Sequence, residues 1–146
     1  MTMKKKTIKL AATLWLLLSG GAGAAGFNDN GNGTVTDFAT GLTWQQSDAH
    51  NSDAIDHAAA MLYCTGLSLA GGGWRLPEVK ELSSIVDLRR VYPSIDLQYF
   101  AGAETSNYWS ASSFASDKGN AWAVYFRDGG VTAYNEANTF FVRCVR

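Results

Sequence analysis

The chain is 146 residues long, 47% hydrophobic and 17% charged, with 12 basic residues against 13 acidic ones. Lys4, Lys5, Lys6 and Lys9 are bunched ahead of Leu10 and no acid precedes Asp29, so the rest of the chain keeps eight basic residues against 13 acidic, a net charge of about −5. That balance excludes the clustered lysine and arginine surface that nucleic acid or an anionic membrane demands, and it disfavours sulfated glycans unless Arg75, Arg89, Arg90, Arg127, Arg143 and Arg146 converge.

The basic head runs into an apolar stretch, Leu10 to Leu18, and then into small residues ending Ala22-Gly23-Ala24-Ala25-Gly26. This is the three-part pattern of a secretory signal peptide, and the apolar stretch is far shorter than the roughly 20 residues a spanning helix needs. The expected plan is a signal peptide over 1–26, cut before Ala25 or Phe27, and one domain over 27–146. Such a domain is exported, periplasmic or extracellular, with no membrane span after cleavage. A domain of this size buries about two-thirds of its unfolded surface. Its two cysteines, Cys64 and Cys144, are even in number and in an oxidising compartment, so they are expected to pair. Closing a loop of about 80 residues is worth roughly 4.5 kcal/mol in the chain-entropy model.

Phe27 to Gly33 is rich in Asn, Asp and Gly and feeds two short runs, Thr34 to Phe38 and Leu42 to Gln45. They read as a hairpin turning through Asp37-Phe38-Ala39-Thr40-Gly41, with an Asp able to bond its own turn and a Gly free to take positive φ. From Asn51 or Ser52, polar caps precede Ile55, Ala58, Ala59 and Leu62, whose spacing predicts a first helix with that apolar stripe inward. It stops near Gly66 with Cys64 in its last turn. Leu67 to Gly73 is a glycine-rich connector. A second helix opens at Pro77, suited to a first turn, with Glu78 and Glu81 at its positive end and Val79, Leu82, Ile85 and Val86 as its buried stripe. Val91 to Asn107 lacks a period and is expected to be a long loop, a kind of segment often functional in compact domains. Trp109 to Phe114, Ala121 to Phe126, Val131 to Tyr134 and Phe140 to Val145 read as strands, with Arg127-Asp128-Gly129-Gly130 as a hairpin turn. Trp44, Trp74 and Trp122 are assigned to the core. A hairpin, two helices and then several antiparallel strands make an α+β domain.

Three groupings carry possible chemistry. Asn28-Asp29-Asn30-Gly31-Asn32-Gly33-Thr34-Val35 places oxygen-bearing side chains at alternate positions before a glycine, as calcium loops do. Asn replaces Asp at the alternating positions and Ala39 stands where a bidentate Glu belongs, so an Asx-rich turn is favoured. Were calcium to bind, Asp29, Asn30, Asn32 and Asp37 are its candidate ligands. His50, Asp53 and His57 would line one side of a continuous helix, opposite the apolar stripe, which reads as a solvated face more readily than as a metal or acid–base cluster. Tyr92, Tyr99, Phe100, Tyr108, Tyr134 and Asn135 lie in or beside irregular segments. The ligand-binding candidates are Tyr99, Tyr108, Tyr134 and Asn135 with Arg127, Asp128 and Glu136. Gly71-Gly72-Gly73 lacks the Lys-Ser/Thr of a phosphate loop.

The opening Asp29-Asn30-Gly31-Asn32-Gly33-Thr34-Val35-Thr36-Asp37, then Thr40-Gly41-Leu42-Thr43-Trp44, Trp74-Arg75-Leu76-Pro77 with Glu81-Leu82, Tyr108-Trp109-Ser110 and the ending Arg143-Cys144-Val145-Arg146 together resemble the Lcl C-terminal-like family, a domain of unknown function in exported bacterial proteins. The Arg-Leu-Pro segment and the Arg-Cys ending also resemble the formylglycine-generating enzyme group. That wider resemblance implies a C-type-lectin-like fold, with two helices on antiparallel sheet, a long irregular loop and one disulfide. It does not carry the oxidase activity over, because the closely spaced reactive cysteine pair of that group is absent. The Glu-Pro-Asn, Gln-Pro-Asp and Trp-Asn-Asp motifs of calcium-dependent sugar sites are absent as well. The expectation is a non-catalytic binding or adhesion module for a glycan or protein ligand. A structural or assembly subunit of a periplasmic or surface complex is the alternative. Cofactors are expected to be none, calcium apart, and the oligomeric state is left open.

Overall fold

The computed structural model describes residues 26–48 and 53–146; the signal-peptide reading therefore lies outside the described residues, except for Gly26. Two antiparallel sheets carry the fold. The first holds β1 (Phe27–Asp29), β2 (Thr34–Asp37) and β3 (Thr43–Gln45) in the order β1-β2-β3. The second holds β4 (Asn107–Ser113), β5 (Asn120–Tyr125) and β6 (Gly130–Asn135) in the order β4-β5-β6. Helices α1 (His57–Gly66) and α2 (Val79–Ser84) complete an α+β domain.

The first hairpin forms for the expected reason. Asp37 accepts from the Ala39 N–H at 2.9 Å and the Thr40 hydroxyl at 2.7 Å, and Gly41 takes φ +75°. The preceding Asn-rich segment does more than feed this hairpin, since Phe27 to Asp29 pairs with Asp37 to Val35 as a third strand.

The stripe assigned to α1 is corrected. Ile55 stands before the helix, bonded through its backbone to Phe140, and Leu62 is 73% exposed. Asp56 caps the helix by accepting from the Ala59 N–H, and the buried face is His57, Ala60 and Cys64. Cys64 is bonded to Cys144, which fixes the side that faces inward. His57 and Ala60 lie about two turns and one turn before it on that side. Pro77 also stands before its helix: α2 starts at Val79 behind a reciprocal Glu78/Glu81 capping box. Arg75 joins that box, its guanidinium meeting both Glu81 oxygens at 2.7 Å. Leu82 and Ile85 are buried, with Val79 and Val86 partly so, as the helical spacing predicts.

Tyr108 and Trp109 are neighbours on β4, so their side chains leave opposite faces of the sheet. Tyr108 packs with Leu82 of α2, Trp44 and Phe126. Trp109 packs with Ala60 of α1, Trp74, Leu76 and the disulfide. The second sheet thus lies between two apolar clusters, one per helix. Trp122 belongs to neither; it is half-buried and meets Phe114 edge-on, because the β5 residues that face the clusters are Ala121, Ala123 and Val124.

The expected last strand, Phe140 to Val145, is instead an extended segment that stitches the sheets together. Phe141 exchanges backbone bonds with β4 at Trp109 and Asn107, Cys144 accepts from Gln45, and Arg146 exchanges bonds with Thr43 on β3. Its residues pair singly with Ile55, Tyr108, Trp44 and Arg75, so no continuous ladder forms.

Candidate functional site

The segment after α2 is irregular, as expected, yet held at many points. Asp87 gathers its first turn, accepting from the Arg89 N–H and guanidinium and from Arg90 Nε. The Arg89 side chain and backbone N–H together hold the Asp87 carboxyl down at about 2. Arg90 reaches on to Asp96 at 3.2 Å. The loop then docks on the end of β5: Tyr92 N–H donates to Arg127 O, and both the N–H and the hydroxyl of Ser94 donate to Phe126 O. Ile95 and Phe100 drop into the core. Tyr92 is held at φ +59°, a sparsely populated region for a large side chain.

Docking leaves one side of the loop outside. Leu88, Val91 and Tyr92 are 77%, 62% and 61% exposed, which makes an apolar ledge beside the β5–β6 turn. The Arg127 guanidinium lies 4.8 Å from the Tyr92 ring centroid and donates to its hydroxyl, an arrangement that orients a cation over an aromatic face. The turn closes tightly against this ledge. A Cβ on Gly129, at φ +86°, would stand 2.7 Å from Val86 Cγ1 and 2.9 Å from Leu88 Cδ2.

The structure divides the seven predicted ligand-binding residues. Arg127 is on the ledge, and Asp128 shapes the adjoining turn by accepting from the Gly130 N–H. Tyr99 is half-buried against Phe27 and Tyr134 is half-buried against Phe140. Asn135 and Glu136 lie at the far end of β6, where Asn135 accepts from the Ala137 N–H and Glu136 stands 3.7 Å from His57 Nδ1. Tyr108 is no surface residue. It is fully buried, donating to the Asp48 carboxylate and accepting from the Glu104 N–H. Burial, reinforced by the Asp48 charge, raises its phenol well above the usual range. Its position beside the loop misled because β4 runs inward from Asn107. The exposure of Leu88 and Val91 was not read from the sequence; the available signal was two apolar residues beyond the last buried turn of α2, in a segment otherwise polar.

The same core contains a buried charge. Arg143 is fully buried between Phe100 and Tyr108, with Nη1 donating to the carbonyls of Gln45 and Gln46. This arrangement orders the interior instead of presenting a reactive group to solvent.

The Asn-rich loop is closed by its own bonds. Asp29 accepts from the Gly31 N–H, which lowers its carboxyl. Asn30 bonds Thr34 and Thr36, and Asn32 accepts from the Thr34 hydroxyl. Asp37 is at the other end of β2, opposite Phe27, so the four candidate ligands are not brought together. His57 is not on a solvated face: Nε2 is 2.8 Å from Ser110 O and the ring meets Trp109 edge-on. His50 lies outside the described residues. Among the described residues no group of three His, Cys, Asp or Glu is placed to hold a metal, and no helix is long and apolar enough to cross a membrane.

Residues 33–146 match the family model of the Lcl C-terminal domain. No curated protein matches the chain.

Proposed function

The chain belongs to the Lcl C-terminal domain family, and from that premise we propose that it is an exported, non-catalytic binding module of C-type-lectin-like fold, which takes a protein ligand on the ledge of Leu88, Val91 and Tyr92 beside Arg127. The observation that carries this reading is the exposure of those three apolar residues on a loop whose backbone is otherwise bonded down. Exposed apolar area gathered at one place marks interaction sites, and aromatic and arginine side chains dominate such sites energetically. Leu88 and Val91 favour a protein over a glycan, because branched aliphatic groups offer nothing to sugar hydroxyls. The absence of oxidase chemistry is supported by the disulfide, which takes up both cysteines of the chain. Calcium is not needed for this reading; in the candidate loop Asp29 Oδ1 accepts from the Gly31 N–H and Asn32 Oδ1 from the Thr34 hydroxyl.

The test is a photo-crosslinking amino acid at Val91, with exposed Lys118 as control, in cells producing the protein. A discrete protein adduct from position 91 and none from 118 is expected. No adduct at 91 overturns the protein-ligand reading. Retention on a glycan array that is lost in Tyr92→Ala would replace it with a glycan reading.

A further inference from the structure

β6 ends the second sheet, and its ladder with β5 is unbroken from Asn120 opposite Asn135 to Tyr125 opposite Gly130. Glu136 N–H donates to Gly119 O at 2.9 Å, the next rung beyond the ladder. Bonded and non-bonded pairs alternate in an antiparallel ladder. Gly130, Thr132 and Tyr134 therefore turn their backbone groups toward β5, and Val131, Ala133 and Asn135 turn theirs outward. Asn135 O is taken by Asn138. Among the described residues no partner meets the outward N–H and C=O of Val131 and Ala133.

The protein covers two of its other edges and keeps the third short. β3 is covered by Cys144 and Arg146, and β4 by Phe141 and by Pro77, whose carbonyl accepts from Ala111. β1 is three residues long with Asn28 and Asp29 exposed. Natural edge strands are guarded by charge, proline or a bulge, yet residues 130–135 contain no charged residue and no proline, and Val131 is 43% exposed.

We propose that β6 pairs with β6 of a second copy of this chain, antiparallel, about a twofold axis at Ala133. This register matches the outward residues Val131, Ala133 and Asn135 of one copy with Asn135, Ala133 and Val131 of the other, and the flanking charges allow it. Centred on Ala133, Val131 faces Asn135, Glu136 faces Gly130 and Asp128 faces Asn138, so no like charges meet. Centred on Thr132, Glu136 would face Asp128, a repulsive pair. This surface is independent of the ledge on the 88–92 loop.

The test is sedimentation equilibrium of the disulfide-bonded chain, with Ala133→Pro and single-cysteine variants. The Ala133 N–H faces away from β5, so proline there removes the intermolecular donor and leaves the β5–β6 rungs in place. The expected result is a dimer that Ala133→Pro weakens at least about tenfold with an unchanged far-UV spectrum. Ala133→Cys then cross-links to a covalent dimer on oxidation, since residues facing each other in a bonded pair stand about 5.5 Å apart, within disulfide reach. Val131→Cys, facing Asn135, does not. A monomer at every concentration, or a dimer with no Ala133→Cys cross-link, overturns the proposal.

Discussion

Nη2 of Arg143 stands 3.6 Å from Oδ2 of Asp48, and both side chains are buried. The same Asp48 oxygen accepts the Tyr108 phenol, so one carboxylate balances a buried cation and a buried hydroxyl. Removing one partner of a buried pair leaves an uncompensated charge. Asp48→Ala is expected to cost about 3–5 kcal/mol in urea unfolding, against about 1–2 kcal/mol for Tyr108→Phe. The double variant should fall short of the sum because the two act through one oxygen. Additive costs would dissolve the network as described.

Cys64 and Cys144 are 80 residues apart in sequence and join α1 to the segment that stitches the sheets. Cys64→Ser is expected to lower Tm by roughly 10–20 °C, the effect of about 4–5 kcal/mol on a domain of this size. Equal melting of the oxidised protein and the variant would contradict a bond that constrains the unfolded chain.

Glu81 meets Arg75 through both oxygens, and that hydrogen bond lowers its carboxyl below the usual 4.5. A depressed folded pKa contributes stability present above the unfolded value and lost as pH falls through the folded one. Glu81→Gln keeps the helix cap and removes the charge, so at pH 7 it should be less stable by no more than about 1 kcal/mol, the Arg75 side chain being 46% exposed and the pair screened by solvent. That gap should close as pH falls below 4.5. A gap independent of pH would show that the ion pair contributes nothing.

Gly129 and Gly31 both hold positive φ, +86° and +71°, but a Cβ at Gly31 would meet nothing within 4 Å. Gly31→Ala is expected to cost about 1 kcal/mol from backbone strain alone. Gly129→Ala should cost about 2–3 kcal/mol, because Val86 and Leu88 must also move. Equal losses would show that the turn does not press on the ledge.

The exposed ledge was only half legible. The long loop and the Arg127 turn could be read because each rests on a run of nearby residues: scattered polar positions without a period, and an Asp-Gly-Gly turn. That Leu88 and Val91 stay outside while Ile95 and Phe100 go in could not be read, since all four are apolar residues of one irregular segment. The Ser94 and Tyr92 bonds to the end of β5 make that choice. The α1 stripe failed for a related reason. With a face rich in alanine, periodicity defines the inward side weakly, and the disulfide selected the side that includes His57.

The family, the α+β order, the pairing of Cys64 with Cys144 and the hairpin through Asp37 and Gly41 are legible in the chain alone. Each of these depends on short-range chemistry, on a recognisable segment or on a count of two. Tertiary structure decided the burial of Tyr108 on Asp48, 60 residues away, the seat of His57 on Ser110, 53 residues away, and the lodging of Arg143 against Gln45, 98 residues away. It also decided which strand edges are covered. Polar groups such as these go inside only when distant partners satisfy them, and no local pattern in the chain announces a partner that distant.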